Sequence, residues 1–192
     1  MAQFITNRRD IDFVLFEQFD AGSLTQYEKY AEFNRKTIDL IINEARNFAL
    51  KELLPTNAEG DREGVSFENG EVRVPQCYHR PYKLYLEGEW PSLSEPVEQG
   101  GQGMPPIVAR AAYEYLIGGN YCCVNYANFG HGTGKMIQLF GTEEQKKLFV
   151  EKLYKAEWTG GMLLTEAEAG SDVGALTTEA VKNEDGTYSL SG

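Results

Sequence analysis

The stretch Met162-Leu163-Leu164-Thr165-Glu166-Ala167-Glu168-Ala169-Gly170-Ser171-Asp172 carries most of the chemistry this chain offers. A short apolar run delivers a hydroxyl and a carboxylate, and a small-residue turn closed by Ser-Asp follows. Such a segment brings backbone N–H groups and two hydroxyls, those of Thr165 and Ser171, against a large polar-edged ligand. Gly170 permits a close backbone approach that a side chain would block. The plainer alternative is that Thr165 and Ser171 bond their own local backbone, as turn hydroxyls commonly do. Glu166, Glu168 and Asp172 also lie close together and invite a paired-carboxylate acid/base scheme. Nothing around them would raise a carboxyl pKa, and that chemistry requires it. The stretch ends twenty residues before residue 192, so any site it helps to build is expected to be completed by residues outside this sequence.

Other chemical signals are sparse. His79 and His131 are the only histidines, and neither has a second ligand four residues away on a helix. Cys77, Cys122 and Cys123 are odd in number and show no Cys-x-x-Cys spacing, so no metal site is expected and reduced, buried thiols are. Gly100-Gly101-Gln102-Gly103 lacks the preceding strand and the Gly-Lys-Ser/Thr ending of a phosphate loop, and reads as a surface turn. The formal charge of −11 leaves no basic stripe for nucleic acid. No apolar run reaches the ~20 residues of a transmembrane segment, and the N-terminus lacks a signal-peptide core. A cytoplasmic protein is the expectation.

The elements that must position the stretch read mostly as helices. Asp10 to Phe19 places Ile11, Val14, Leu15 and Phe19 at amphipathic spacing, and Thr25-Gln26-Tyr27-Glu28 has capping-box spacing. A long helix then carries Phe33, Ile38, Ile41, Ala45, Phe48 and Leu53. Pro55 lies just past its expected end, with a polar loop from Asn57 to Gly64. Glu68 to Val74 reads as extended, with Gly70 at a turn, and Pro75 to Glu87 as a helix. A breaker-rich loop runs from Pro91 to Pro106. Helices follow from Ile107 to about Ile117, from about Cys122, and from the capping box Thr142-Glu143-Glu144-Gln145.

At Trp158 the character changes. Met162-Leu163-Leu164 is of strand type, and Asn183-Glu184-Asp185-Gly186 is a hairpin turn returning through Tyr188-Ser189-Leu190. The expected organisation is a helical extension over 1–60, a helical domain over 61–156, and the start of an incomplete β domain over 157–192.

Thr165-Glu166-Ala167-Glu168-Ala169-Gly170-Ser171-Asp172 closely resembles the Thr-Glu-Pro-x-Ala-Gly-Ser-Asp signature of the acyl-CoA dehydrogenase family. Pro96-Val97-Glu98-Gln99-Gly100-Gly101-Gln102-Gly103 is similar to the family's Pro-x-x-x-Gly-Gly-x-Gly loop, and Gly141-Thr142-Glu143-Glu144-Gln145-Lys146 to its Gly-Thr/Ser-x-x-Gln-Lys helix start. Thr178-x-Ala180 and the hairpin closing at Ser191-Gly192 match what usually follows. Together these cover about residues 90 to 192. Arg9 to Glu17 and the long helix after it resemble the long-type, large-subunit branch, similar to 3-methylmercaptopropionyl-CoA dehydrogenase.

The resemblance implies a fold that is mainly α: the N-terminal helical domain of the acyl-CoA dehydrogenase fold, followed by the first hairpin of its β domain (α+β, truncated). It implies an FAD enzyme that oxidises an acyl-CoA thioester to the α,β-enoyl-CoA and passes electrons to an electron-transfer flavoprotein, as a homo-oligomer when full length. The family's catalytic glutamate would lie beyond residue 192, so this chain alone would be inactive and would not retain FAD. Carried over by position, Met162, Leu163, Leu164, Thr165, Gly170 and Ser171 would contact the cofactor. Backbone groups at Leu164 and Thr165, with the Thr165 hydroxyl, would meet the polar edge of the flavin ring, where donors stabilise negative charge on the reduced ring. Ser171 would reach the pyrophosphate side and the acyl-CoA substrate, while Asp172 would order the turn. Ala167 replaces the family's proline, so the turn lacks a fixed φ there. A helical binding or assembly domain without catalysis, and an acyl-CoA oxidase, are the alternatives.

Overall fold

The structure, a computed structural model, describes residue 5 and residues 7–192. The start of the expected N-terminal extension, residues 1–4 and 6, lies outside the described residues. Two compact units are present, Met1–Gly160 and Gly161–Gly192. No helix among the described residues is long and apolar enough to cross a membrane.

The first unit is helical. Helix α1 (Arg8–Asp12) starts on the Asn7 side chain, which accepts the Arg9 N–H, and runs on through a wide π turn to Gln18. It buries Ile11 and Leu15. Arg8 fixes it to the next helix by bonding Asp12 at 2.8 Å on its own turn and Asp39 at 2.6 Å across the interface.

Helix α2 (Arg35–Phe48) is capped by Asn34, whose side chain accepts the Thr37 N–H at 3.1 Å. The expected capping box at Thr25 does not form. Residues Ala21–Gln26 make a 3-10 turn instead, and the Thr25 hydroxyl donates back to the Gly22 carbonyl. Thr25-Gln26-Tyr27-Glu28 has the right letters, but it lies nine residues upstream of the real helix start.

Nor does Pro55 end the helical run. A π turn (Ala49–Leu53) is followed directly by α3 (Leu54–Glu63), with Pro55 in its first turn, so the expected polar loop from Asn57 is helical. A proline in an α ladder loses a donor and crowds the carbonyl four residues back. The widened turn interrupts that ladder just ahead of the ring, and the helix restarts with proline where its missing N–H costs least. Ile38, Ile42, Ala45, Ala49 and Leu53 thereby form one uninterrupted buried stripe.

A small hairpin follows: β1 (Ser66–Glu68) pairs antiparallel with β2 (Glu71–Arg73) across Asn69-Gly70, both with positive φ. Helix α4 (His79–Glu87) then buries Tyr85. Helix α5 (Pro106–Phe140) packs against α2, α3 and the π turn between them. It merges the two expected helices across a single break at Asn120 (φ −160°, ψ 94°). The buried Asn120 side chain accepts the Cys123 N–H at 3.0 Å, acting as an internal N-cap for the second half. Its amide donates to the Thr56 hydroxyl at 3.0 Å. One residue earlier, a Cβ on Gly119 would stand 3.0 Å from the Leu53 Cβ, so glycine lets α5 approach the π turn closely. The capping box at Thr142 forms in full and opens α6 (Glu143–Gln145), which passes through another π turn into α7 (Glu151–Tyr154).

The second unit holds one hairpin, β3 (Glu179–Lys182) antiparallel to β4 (Tyr188–Ser191), turned at Asp185-Gly186 as the sequence predicts. Met162-Leu163-Leu164 is not a strand: it pairs with nothing among the described residues, and Leu163 is 99% exposed. An apolar run of strand type becomes a strand only where a neighbour takes its backbone N–H and C=O groups.

Candidate functional site

The six residues singled out for cofactor contact, Met162, Leu163, Leu164, Thr165, Gly170 and Ser171, are all exposed. The segment between them is ordered by a tight reversal in which Glu166 N–H donates to the Ala169 carbonyl at 2.9 Å and Ala169 N–H returns to Glu166 at 3.3 Å. Ala169 is buried beneath it. Asp172 accepts the Gly174 N–H at 3.0 Å and caps the 3-10 turn Val173–Ala175, so it orders the chain, as expected.

Among the described residues, neither the Thr165 nor the Ser171 hydroxyl is engaged in a hydrogen bond. Local backbone bonding, the plainer use of such hydroxyls, is therefore not what they do in this structure. A Cβ on Gly170 would meet nothing within 4 Å, so no packing in the chain demands glycine there and its backbone stands uncovered. Two uncommitted hydroxyls flank that bare backbone, an arrangement able to donate to a polar ligand edge.

Glu166 does something the sequence did not disclose. Its carboxylate accepts from the Thr177 N–H (2.8 Å) and hydroxyl (2.9 Å) on one oxygen, and from the Thr178 N–H (3.0 Å) and hydroxyl on the other. The Thr178 hydroxyl foremost, with the Thr177 donors, holds its carboxyl down at about 2. An ionised acceptor so fully occupied cannot serve as half of an acid/base pair near neutrality. The only signal available beforehand was the acceptor's identity and a Thr-Thr pair eleven residues on, and nothing in sequence links the two.

A second polar cluster sits in the first unit. Glu95, 3% exposed, has one carboxylate oxygen 2.8 Å from His131 Nε2 and the other 3.1 Å from Lys135 Nζ. Its carboxyl is lowered to about 2, first by the His131 hydrogen bond, with Lys135 adding to it against the cost of burial. The His131 ring lies 5.4 Å from that of Tyr154, whose hydroxyl donates to Gln138 at 2.7 Å. The glycine-rich loop wraps around Glu95: Gly103 N–H donates to its carbonyl at 2.8 Å, and a Cβ on Gly101 would fall 2.2 Å from that same oxygen. The loop is thus a structural strap over a buried charge. The cysteines are free, but of the expected buried thiols only Cys123 is buried, with Cys77 half-buried and Cys122 exposed. Burial pushes the Cys123 thiol up to about 12, far from a reactive thiolate.

Comparison with known proteins places these features in a family. The profile "Acyl-CoA dehydrogenase, N-terminal domain" matches residues 36–157. The chain is similar to 3-methylmercaptopropionyl-CoA dehydrogenase of Ruegeria pomeroyi, at 32% identity over 96% of this chain and 31% of that protein. It is similar to the broad-specificity linear acyl-CoA dehydrogenase FadE5 of Mycobacterium tuberculosis at 31% identity, covering 100% of this chain and again 31% of the relative. The chain therefore spans about a third of the length of these curated relatives. Among solved structures, a glutaryl-coenzyme A dehydrogenase in complex with glutaryl-CoA superposes with a TM-score of 0.65 at 29% identity, covering 82% of this chain and 38% of that one. A matched profile over most of the helical unit, with the same fold in a solved relative, establishes that this chain belongs to the acyl-CoA dehydrogenase family.

Proposed function

We propose that this chain supplies the helical N-terminal domain and one wall of the flavin site of an acyl-CoA dehydrogenase that oxidises an acyl-CoA thioester between its α and β carbons, with an electron-transfer flavoprotein as acceptor and a homo-oligomer as the working form. The observation that carries the reading is the turn from Thr165 to Ser171. Its two hydroxyls are uncommitted, and nothing covers the Gly170 backbone between them. Those features fit a large ligand with a polar edge, and family membership supports FAD as that ligand.

When bound, FAD supplies the acceptor for the hydride leaving the substrate's β-carbon. The residues of this chain bind and orient. Thr165, through its hydroxyl and backbone, and Leu164, through its backbone, donate to the polar edge of the flavin ring. Ser171 donates to the pyrophosphate side and to the acyl-CoA, while Met162 and Leu163 lend apolar cover. Neither carboxylate inside the turn is assigned the α-proton: Glu166 is already saturated with donors, and Glu168 is exposed on the surface of the reversal.

Visible absorbance and FAD titration test the reading. The 192-residue chain by itself is expected to bind FAD weakly and to leave acyl-CoA unoxidised. In the enzyme that contains it, Thr165→Ala with Ser171→Ala is expected to weaken FAD binding. Stoichiometric FAD retention by the chain alone would overturn the claim that only one wall is present. Undiminished FAD affinity in the double variant would overturn the assignment of the turn. Oxygen consumption in place of flavoprotein reduction would make the enzyme an oxidase.

A further inference from the structure

The turn that would face the flavin has little apolar burial to hold it. Ala169 is its one buried residue, and Ala167 stands where a proline would have fixed φ. Ordering exposed backbone costs conformational entropy, so something polar must hold it. One side chain ties the two ends of the segment together. The Glu166 carboxylate receives four donors from Thr177 and Thr178, eleven and twelve residues on, while the Glu166 backbone is bridged to Ala169. The loop closed in this way contains Ser171 and the turn capped by Asp172, and Thr165 is its immediate neighbour. The threonines in turn lead directly into β3, so the clamp anchors the loop to the hairpin.

We propose that Glu166 is a positioning residue: by clamping Thr177 and Thr178 it fixes the backbone that presents Thr165 and Ser171 to the ligand. The inference rests on the flavin reading of that turn, and it replaces the missing proline with a hydrogen-bonded restraint. An ionised carboxylate is acceptor-only and has room for about four hydrogen bonds, all of them filled here. Its low pKa keeps the clamp closed throughout the neutral range. Glutamine keeps one acceptor oxygen but turns an NH2 toward the donors of one threonine, so half of the clamp fails.

The test is amide NMR on the 15N-labelled 192-residue chain, comparing wild type with Glu166→Ala, Glu166→Gln, Thr177→Val and Thr178→Val. In Glu166→Ala, hydrogen exchange at Thr177 and Thr178 is expected to rise by about tenfold or more. The Thr165 and Ser171 amide resonances should move with it, while those of the first unit stay in place. Glu166→Gln, which keeps one acceptor oxygen, and the valine variants, which each remove one hydroxyl donor, should give graded, smaller effects. Unchanged Thr165 and Ser171 resonances in Glu166→Ala would overturn the proposal even with exchange accelerated, since the carboxylate would then tie only the strand. If Glu166→Ala unfolds the second unit, the valine variants decide: shifts at Thr165 and Ser171 support the proposal, and their absence overturns it. FAD titration of the enzyme that contains the chain separates the two readings. Undiminished FAD affinity of Thr165→Ala with Ser171→Ala in that enzyme, alongside resonances that respond to Glu166→Ala in the chain itself, overturns the flavin assignment and leaves the positioning role standing.

Discussion

Replacing Glu95 with glutamine removes one charge from beneath the glycine-rich loop. Glu95 is almost fully buried, with His131 at 2.8 Å and Lys135 at 3.1 Å as its partners. Its carboxyl is lowered from 4.5 to about 2. At about 1.4 kcal/mol for each tenfold change in proton affinity, the lowering corresponds to at most about 3.5 kcal/mol. Lys135 is half exposed, and solvent screens its share, so about 2 kcal/mol is the working figure. The sign follows from the direction of the shift. A carboxylate whose folded pKa is depressed stabilises the fold above its unfolded value, and that contribution fades as pH falls toward the folded one. Urea denaturation of wild type and Glu95→Gln should therefore differ by about 2 kcal/mol at pH 7. The difference should shrink between about pH 4.5 and pH 2. At neutral pH the same change should lower Tm by about 4–8 °C for a unit of this size. A difference below about 0.5 kcal/mol at pH 7, or one that does not vary with pH, would refute the reasoning, because the buried carboxylate would then contribute no more than a surface charge.

Asn120→Ala should destabilise the first unit by about 1–2 kcal/mol, since it removes the internal N-cap of α5 and leaves the Thr56 hydroxyl without its donor; chemical denaturation reads this directly. Gly101→Ala should lower Tm by the equivalent of about 1–3 kcal/mol, because its Cβ would stand 2.2 Å from the Glu95 carbonyl oxygen and the strap would have to open. Thr165→Ala and Ser171→Ala should leave the stability of this chain within about 0.5 kcal/mol of wild type by denaturation, as neither exposed hydroxyl is bonded. A larger loss would mean that the hydroxyls serve the fold and not a ligand.

Much of the helical unit could be read directly from the chain. Ile38, Ala45 and Leu53 are buried as their helical spacing predicts, although Ile42 and not the expected Ile41 is the fully buried residue between them. The Thr142 capping box forms as written, and Asp185-Gly186 turns the hairpin it predicts. These are local effects, set by residues within a turn or two of each other. The failures were local inferences overruled from outside. Thr25 carried the letters of a cap, but Asn34 starts the helix. Pro55 should have ended a helical run, yet a π turn absorbs it while the buried stripe continues through Ala49 and Leu53 against α5. Met162 to Leu164 has strand composition and no partner strand among the described residues.

By itself the sequence determined the family, because Thr165 to Asp172, the Pro96 loop and the Gly141 helix start are contiguous motifs whose identity does not depend on folding. It also located the candidate ligand turn, for the same reason. Only the tertiary structure decided which carboxylates are spoken for. Glu166 meets Thr177 and Thr178 at a distance of eleven and twelve residues, and Glu95 meets His131 at thirty-six. A carboxylate's pKa is set by the donors that folding brings within hydrogen-bond reach, whatever their distance along the chain. The same folding left the Thr165 and Ser171 hydroxyls exposed and without hydrogen-bond partners among the described residues, which residue type alone could not have told.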